Sequence, residues 1–474
     1  MTTPVKALVI GPTLLDAYYM GQVIGLDQTA PIPRVDVMSR AHGFGGAACA
    51  AQTLVRMGAE VSFVTALSPD EVGEKILEAL SLQSIRVFPA RAPNYRNPTK
   101  HRVFAGDRLV SRFDTDTAEA KVDDHIRDML ARAAQVQKPD VILLSDYGNA
   151  VITEGNLHAI LAYANQEKIP VVVDPSIKRM QYYRNVHTIT PSRDQLTDYI
   201  RGDMPLTRAL RELWRDITPK HVVVTRGEQG ASLFNETTCL NYPAIPAHCR
   251  DSCGAGDAFT AALAYSIGGD PDNIKKAIHL GLAAGAAEVE NVGAVPVGAH
   301  DVLRKQCIVG GPLTKIVELG KDLNRLRNSV RLAKQKFGVA NGVFDLMHVG
   351  HADMLAQAAK ACDFLVVLVN SDISAERIKR KPINDQDTRQ LMLANLPFVD
   401  AVVLFHDPTP EGALTHLRPD VLIKGPGNTA DMTPGAQAAA KFVVTEKHHD
   451  ISTTATIQRA QDNATAAAPD GSAQ

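Results

Sequence analysis

The chain has 474 residues, and its 50 Lys+Arg against 52 Asp+Glu leave a formal net charge of −2. That balance gives no reason to expect nucleic-acid or anionic-membrane partners, and sparse aromatics with a single tryptophan, Trp214, argue against a base-stacking surface. No apolar run nears the ~18 residues of a membrane span. Met1-Thr2-Thr3-Pro4 lacks signal-peptide character, and six scattered cysteines without a CxxC pair suit a reduced, cytoplasmic protein.

In chain order, Val5–Ile10 is an apolar run closed by Gly11-Pro12, the pattern of a buried strand and turn. Val61–Thr65, Val141–Leu144, Val171–Val173 and Val222–Thr225 repeat it, with helical stretches such as Asp70–Leu80 and Asp123–Gln135 between them. Alternation of this kind predicts an α/β fold with a mostly parallel sheet. Arg102–Phe104 and Leu109–Phe113 flank a turn and predict a hairpin outside that sheet. Ile316, Leu319, Leu323, Leu326, Val330, Ala333 and Phe337 then recur at spacings of three and four. A coiled coil would fit that spacing, but Gly320 interrupts it, and a connecting helix is preferred. A second α/β series follows at 338–344, 364–369, 401–404, 421–423 and 442–444. The expected organisation is a 1–310 domain with a small β lid, a connecting helix over 311–336, a 337–462 domain and a disordered tail over 463–474.

The first chemical constellation is Asp251-Ser252-Cys253-Gly254-Ala255-Gly256-Asp257, ahead of the helical stretch Ala258–Ile267. Glycines at a helix start let free backbone N–H groups approach an anion, and the helix dipole adds to the attraction. Asp257 then sits where a carboxylate can take the proton of a hydroxyl attacking a phosphoryl group. Taken alone, the segment reads first as a glycine turn with Asp257 as a cap.

Gly43-Phe44-Gly45-Gly46-Ala47-Ala48-Cys49 is a second glycine cluster leading into a helix, and Asp16 follows the first strand. With Leu144-Ser145-Asp146-Tyr147, Val173-Asp174-Pro175, Thr190-Pro191 and Val224–Gly230, residues 5–300 resemble the ribokinase-like (PfkB-type) carbohydrate kinases. The resemblance implies that Asp257 is the general base and Gly254, Ala255 and Gly256 the anion hole. It also implies sugar contacts at Asp16, Gly45 and Gly46, nucleotide contacts at Thr225 and Gly227, and a homodimer through the lid. The sequence departs from that family at Cys49, where Asn is usual, and at Ser192 and Gln195, where Asn and an acidic residue help hold magnesium. Gly148-Asn149 stands where a lysine is expected. Hydroxyl and amide groups bind Mg²⁺ more weakly than a carboxylate does, so the metal ligands are left unassigned.

The second constellation is Asn341-Gly342-Val343-Phe344-Asp345-Leu346-Met347-His348-Val349-Gly350-His351, after a strand and at the opening of a helix. Two imidazoles three apart at a helix start can donate to a nucleotide phosphate as charge builds at the α-phosphorus. Gly350 gives the triphosphate room. A zinc site would need a third ligand that the sequence does not place. The His-x-Gly-His pattern resembles the cytidylyltransferase-like nucleotidyltransferases over 336–460. That resemblance implies nucleotide contacts at Asn341, Gly342, Phe344, Asp345, Gly350, Asn370, Lys379, Arg389, Lys424, Gly425, Ser452 and Thr453, with His348 and His351 catalytic. Pro426-Gly427-Asn428 departs from the segment usual in that family.

The two halves together resemble a bifunctional family that phosphorylates heptose 7-phosphate at its anomeric hydroxyl and then adenylylates heptose 1-phosphate, giving ADP-heptose for lipopolysaccharide core assembly. ATP and Mg²⁺ are the implied cofactors, and sugar phosphate and ATP the substrates. A kinase half that mainly binds phosphosugar, or a chain that keeps both folds as regulatory binding modules, are the alternative readings.

Overall fold

The computed structural model describes residues 3–106, 108–115, 122–200, 204–236, 238–378, 380–449 and 457–459. The chain divides into two compact units, Met1–Gln306 and Cys307–Gln474.

The first unit contributes thirteen strands among the described residues. They are β1 (Lys6–Ile10), β2 (Thr13–Leu26), β3 (Pro33–Gly46), β4 (Glu60–Ala66), β5 (Ile85–Ala90), β6 (Thr99–Ala105) and β7 (Arg108–Thr115). After these come β8 (Val141–Ser145), β9 (Val171–Asp174), β10 (Thr188–Ile189), β11 (His221–Thr225), β12 (Ala231–Phe234) and β13 (Cys239–Tyr242). Nine of them form a sheet of order β13-β12-β11-β10-β9-β8-β1-β4-β5, parallel from β5 to β11. Its central strands are continuous apolar runs because both faces are covered by helices: Val141–Leu144 and Val222–Val224 are fully buried. The strand order reverses beside β1 and β8, where open α/β sheets bind ligands at their carboxyl ends.

A second sheet, β3-β2-β6-β7, stands apart as the lid. The expected hairpin is its β6–β7 edge. β2 and β3 escape sequence reading because their outer halves are solvent-exposed on both faces and lack a burial period. The glycines at 43–46, which lead into the Ala47–Arg56 helix, are the last residues of β3, paired with Thr13–Asp16 of β2.

In the second unit, β14 (Phe337–Gly342), β15 (Phe364–Asn370), β16 (Ala401–Phe405), β17 (Val421–Lys424) and β18 (Lys441–Val444) form a parallel sheet of order β16-β15-β14-β17-β18. This is a doubly wound, Rossmann-like sheet whose order reverses at β14. The apolar repeat ahead of it is helical only over Lys321–Leu332, with Leu323, Leu326 and Val330 buried. Ile316 bridges Val402 in extended form and Phe337 begins β14, so the longer helix suggested by the spacing does not form. No described helix is long and apolar enough to cross a membrane. The 463–474 tail, Ser452, Thr453 and Lys379 lie outside the described residues.

Candidate active sites

In the first unit, Gly254 caps the Ala255–Gly269 helix with φ +92°, a backbone state that favours glycine. A Cβ on Gly254 would also meet Glu288 Oε1 at 2.8 Å, whereas one on Gly256 would point into open space. The open space at Gly256 leaves the helix start approachable beside Asp257, which lies in its first turn, while the Ala255 N–H makes a long 3.5 Å bond to the Ser252 carbonyl. Asp257 is buried, and burial pushes its carboxyl up to about 7, against the opposing hydrogen bond from Tyr147 and the charge of Lys100. A carboxylate poised near neutral pH suits a general base.

The lid sheet brings further polar groups to this site. Asp16, on the inner half of β2, is buried and ion-paired with Arg102 of β6. Arg102 also donates to Cys253 Sγ at 3.3 Å. Gly45 lies against Asp16: an added Cβ would stand 2.6 Å from Asp16 Oδ2. Gly46, at φ +64°, caps the Ala47–Arg56 helix, and its N–H bonds Asp257. Asp16, Gly45, Gly46, Gly254–Gly256 and Asp257 thus converge.

Beyond Gly256, a cavity of about 480 Å³ is lined by Tyr147, Asp174, Lys178, Ser192, Gln195 and Thr225, among others. Thr225 thus lines this cavity. Gly227 opens a short 3₁₀ turn and does not line the cavity. The positions that depart from the family are occupied structurally. Gln195 Oε1 accepts from the Ser192 N–H at 2.7 Å, the Ser192 hydroxyl accepts from the Gln195 N–H at 3.1 Å, and Gln195 Nε2 donates to the Pro175 carbonyl at 2.9 Å. Asn149 Oδ1 accepts from the Val151 N–H. Asp146 is neutralised by Arg179 and the Tyr183 hydroxyl. The Asp174 backbone carbonyl accepts from the Asp146 N–H at 2.9 Å, but its carboxylate makes no hydrogen bond among the described residues, and burial with Asp257 and Asp146 nearby holds that carboxyl well above the usual range.

In the second unit, His348 caps the Val349–Ala361 helix and His351 lies in its first turn, their rings stacked with centroids 3.9 Å apart. Phe344, held at φ +52°, packs its ring edge-on to His351. Burial and the neighbouring imidazole push His351 down to about 4, and burial also lowers His348. Nδ1 of each ring is buried without a hydrogen-bond partner. Unpaired polar atoms at a helix start are the mark of a ligand site. Lys424, at the end of β17, donates to Asn341 Oδ1 at 3.2 Å across the point where the strand order reverses.

Asp345 lies just beyond β14 and organises the facing loop, accepting from the Ile383 and Asn384 N–H groups and from Arg380 at 2.7 Å. Asn370 is buried at the end of β15 and donates to Ser374. Gly342, Gly350 and Gly425 lie on the strand end and helix start around the histidines and just past β17. Arg389 differs from the free phosphate cation expected of it. It has 0% exposure, and its nitrogens donate to the Asn384 and Val343 carbonyls and to Asp372. As placed, it braces the loop. Sequence reading missed Arg102, Lys100, Glu288 and Arg380, whose partners lie far away in the chain; only Tyr147 carried a signal, within Leu144–Tyr147.

Residues 7–299 match the family model of pfkB family carbohydrate kinases, and residues 339–459 match the cytidylyltransferase-like model. The bifunctional protein HldE of Rhodospirillum rubrum is 32% identical over 472 residues, covering 96% of this chain and 94% of its own. The HldE of Koribacter versatilis is 32% identical over 91% of this chain and 90% of its own. Among solved structures, phosphofructokinase-2 from Escherichia coli in complex with substrates and products superposes with a TM-score of 0.55 at 17% identity, over 65% of this chain and 99% of that one. Ribokinase from Thermotoga maritima gives 0.52 at 18% identity, over 65% and 100%. The chain is a bifunctional sugar kinase and nucleotidyltransferase: it belongs to the pfkB carbohydrate kinases through its first unit and, over nearly its full length, to the family of bifunctional HldE proteins.

Proposed function

We propose that this enzyme makes ADP-heptose through the two helix-start sites described above, with Asp257 as the base of the kinase and the His348/His351 pair as the heart of the adenylyltransferase. In the first reaction the anomeric hydroxyl of heptose 7-phosphate attacks the γ-phosphorus of ATP. Its proton passes to Asp257, the new O–P bond forms, and the bond to the ADP oxygen breaks. The amides at Gly254–Gly256 stabilise the charge on the moving phosphoryl group. Asp16, Gly45 and Gly46 hold the sugar, and Thr225 borders the nucleotide.

In the second reaction the phosphate of heptose 1-phosphate attacks the α-phosphorus of ATP and pyrophosphate leaves. The neutral imidazoles, Lys424 and the helix start bind the triphosphate, and Asp345 with Arg389 keeps the facing loop in place. Lys379, Ser452 and Thr453 complete the phosphate contacts in this reading. The observation that carries the proposal is the presence, on one chain, of a buried carboxylate beside the open Gly256 and a histidine couple with unpaired Nδ1 atoms, each at a helix start.

Both reactions use ATP, and Mg²⁺ bound with it would neutralise phosphate charge. In the kinase cavity the unpartnered Asp174 carboxylate is the hard oxygen that fits such an ion. No group of three His, Cys, Asp or Glu side chains stands ready for a metal among the described residues. That suits an ion held mainly by substrate phosphates and water. The lid serves as a dimer surface, since Val23, Ile24, Leu26 and Met38 stand exposed on it. The enzyme works in the cytoplasm, where both substrates are soluble. Mass spectrometry of products from a panel of sugar phosphates with ATP and with CTP tests the assignment. ADP-heptose from heptose 7-phosphate and ATP is expected once a phosphatase is supplied. A CDP-sugar, or turnover only with other sugars, would overturn it.

A further inference from the structure

Asp257 is held from several directions. Tyr147, which follows β8, donates its hydroxyl to Asp257 Oδ1 at 2.6 Å. Over the tyrosine ring stands Lys100 of the lid strand β6, with Nζ 5.8 Å from the ring centroid. On the other side the Gly46 N–H at the end of β3 also reaches the carboxylate. A carboxylate has about four lone-pair sites, so these two donors leave room for a sugar hydroxyl.

We propose that Tyr147 is a positioning residue for phosphoryl transfer, fixing Asp257 in its ionised, proton-accepting state, and that Lys100 ties this arrangement to the lid strand whose neighbour Arg102 grips Asp16. The inference rests on reading Asp257 as the base. Its support is geometric: a short hydroxyl–carboxylate contact beside the anion hole, stacked under a cation from the sheet that carries the sugar contacts. The hydroxyl remains a donor at working pH: although the residue as a whole is 39% exposed, desolvation where the hydroxyl meets the buried Asp257, and the charge of Asp257 itself, hold Tyr147 well above the usual phenol range. Besides Tyr147 and Lys100, the titratable groups facing Asp257 are Asp16 on β2, Asp174 at the end of β9, Cys49 on the Ala47–Arg56 helix and Glu288 at the end of the Ile274–Glu288 helix. The acids among them favour the protonated base. Tyr147, Lys100 and the Gly46 amide favour the carboxylate, with the Tyr147 hydrogen bond the largest of the three.

The test is the pH profile of kinase kcat/KM, measured on the full chain with Tyr147→Phe, Lys100→Met and Asp257→Asn. Because the base must be ionised, removing a group that favours ionisation moves the acid limb to higher pH. For Tyr147→Phe the expected loss is about tenfold below pH 6, fading above pH 9, with adenylyl transfer unchanged. Lys100→Met, which leaves the core alone, should move the limb the same way by less. A Tyr147→Phe profile that superposes on the parent, or falls by one factor at every pH, overturns the inference. If Asp257→Asn retains turnover, the base assignment itself fails, which is a separate result.

Discussion

Arg389→Met separates a brace from a ligand contact. The substitution keeps an unbranched apolar stem and deletes a guanidinium with no exposed surface. It removes bonds of 2.6 Å to the Val343 carbonyl, 3.1 Å to the Asn384 carbonyl and 2.7 Å to the Asp372 carboxylate. Two neutral acceptors at about 1 kcal/mol each and one charged acceptor at about 2 kcal/mol give roughly 4 kcal/mol, within the ~3–5 kcal/mol range for breaking a buried ion pair. Relief of the buried cation's desolvation offsets part of this, so about 3 kcal/mol is expected. At about 2–4 °C per kcal/mol for a unit of this size, the melting transition of the second unit should fall by about 10 °C. Calorimetry on the full chain should show the first unit's transition unmoved. Pyrophosphate release should fall because the loop around the histidines loosens. An unchanged melting profile with only a raised KM for ATP would refute the reasoning and make Arg389 a phosphate ligand.

Further predictions concern both units. Asp257→Asn should abolish sugar phosphorylation and spare nucleotidyl transfer, and His348→Ala should do the converse; loss of both activities from either folded variant would defeat the two-site model. His221 is buried with neither ring nitrogen partnered, and burial pushes it down to about 4. The stability that depends on its neutral form is complete above pH 6.5 and is lost as pH falls towards 4, so His221→Phe should spare about 2 kcal/mol of unfolding free energy at pH 4.5, read by urea titration. Glu288 takes up a proton on folding, because burial raises its carboxyl to about 9. That cost grows as pH climbs from the unfolded carboxyl range towards 9, so Glu288→Gln should raise the melting point at pH 8 and change it little at pH 4; a lower value at pH 8 would contradict this.

What could be read in the sequence was contiguous. Gly254–Asp257 and His348–His351 each place glycine, helix start and chemical group within a few residues, so spacing located them and family resemblance supplied their expected chemistry. The central strands were equally plain, because burial on both faces leaves uninterrupted apolar runs. Contacts between distant segments left no such trace. Asp16 meets Arg102 across 86 residues and Tyr147 meets Asp257 across 110, and neither pairing has a local signature. Burial was also invisible residue by residue: Arg389 sits in a basic series that looks like a solvated face, yet its stem and fork fill the loop. The outer halves of β2 and β3 owe their form to each other rather than to a core, so no periodicity announced them. Conversely, the apolar spacing from 316 to 337 joined residues that serve a bridge, a helix and a strand in turn.

The scatter of the kinase residues along the chain sets an order of appearance during synthesis. Asp16, Gly46, Lys100 and Tyr147 emerge long before Asp257, so a growing polypeptide can hold most of its parallel strands while still lacking that carboxylate. Nonsense mutations should accordingly fall into three grades. Stops before residue 257 leave an incomplete, inert sheet. Stops soon after 306 leave a kinase without a partner reaction. Only stops beyond Thr453, past the sheet of the second unit, preserve both, and the ribosome finishes the enzymes in the order in which the pathway uses them.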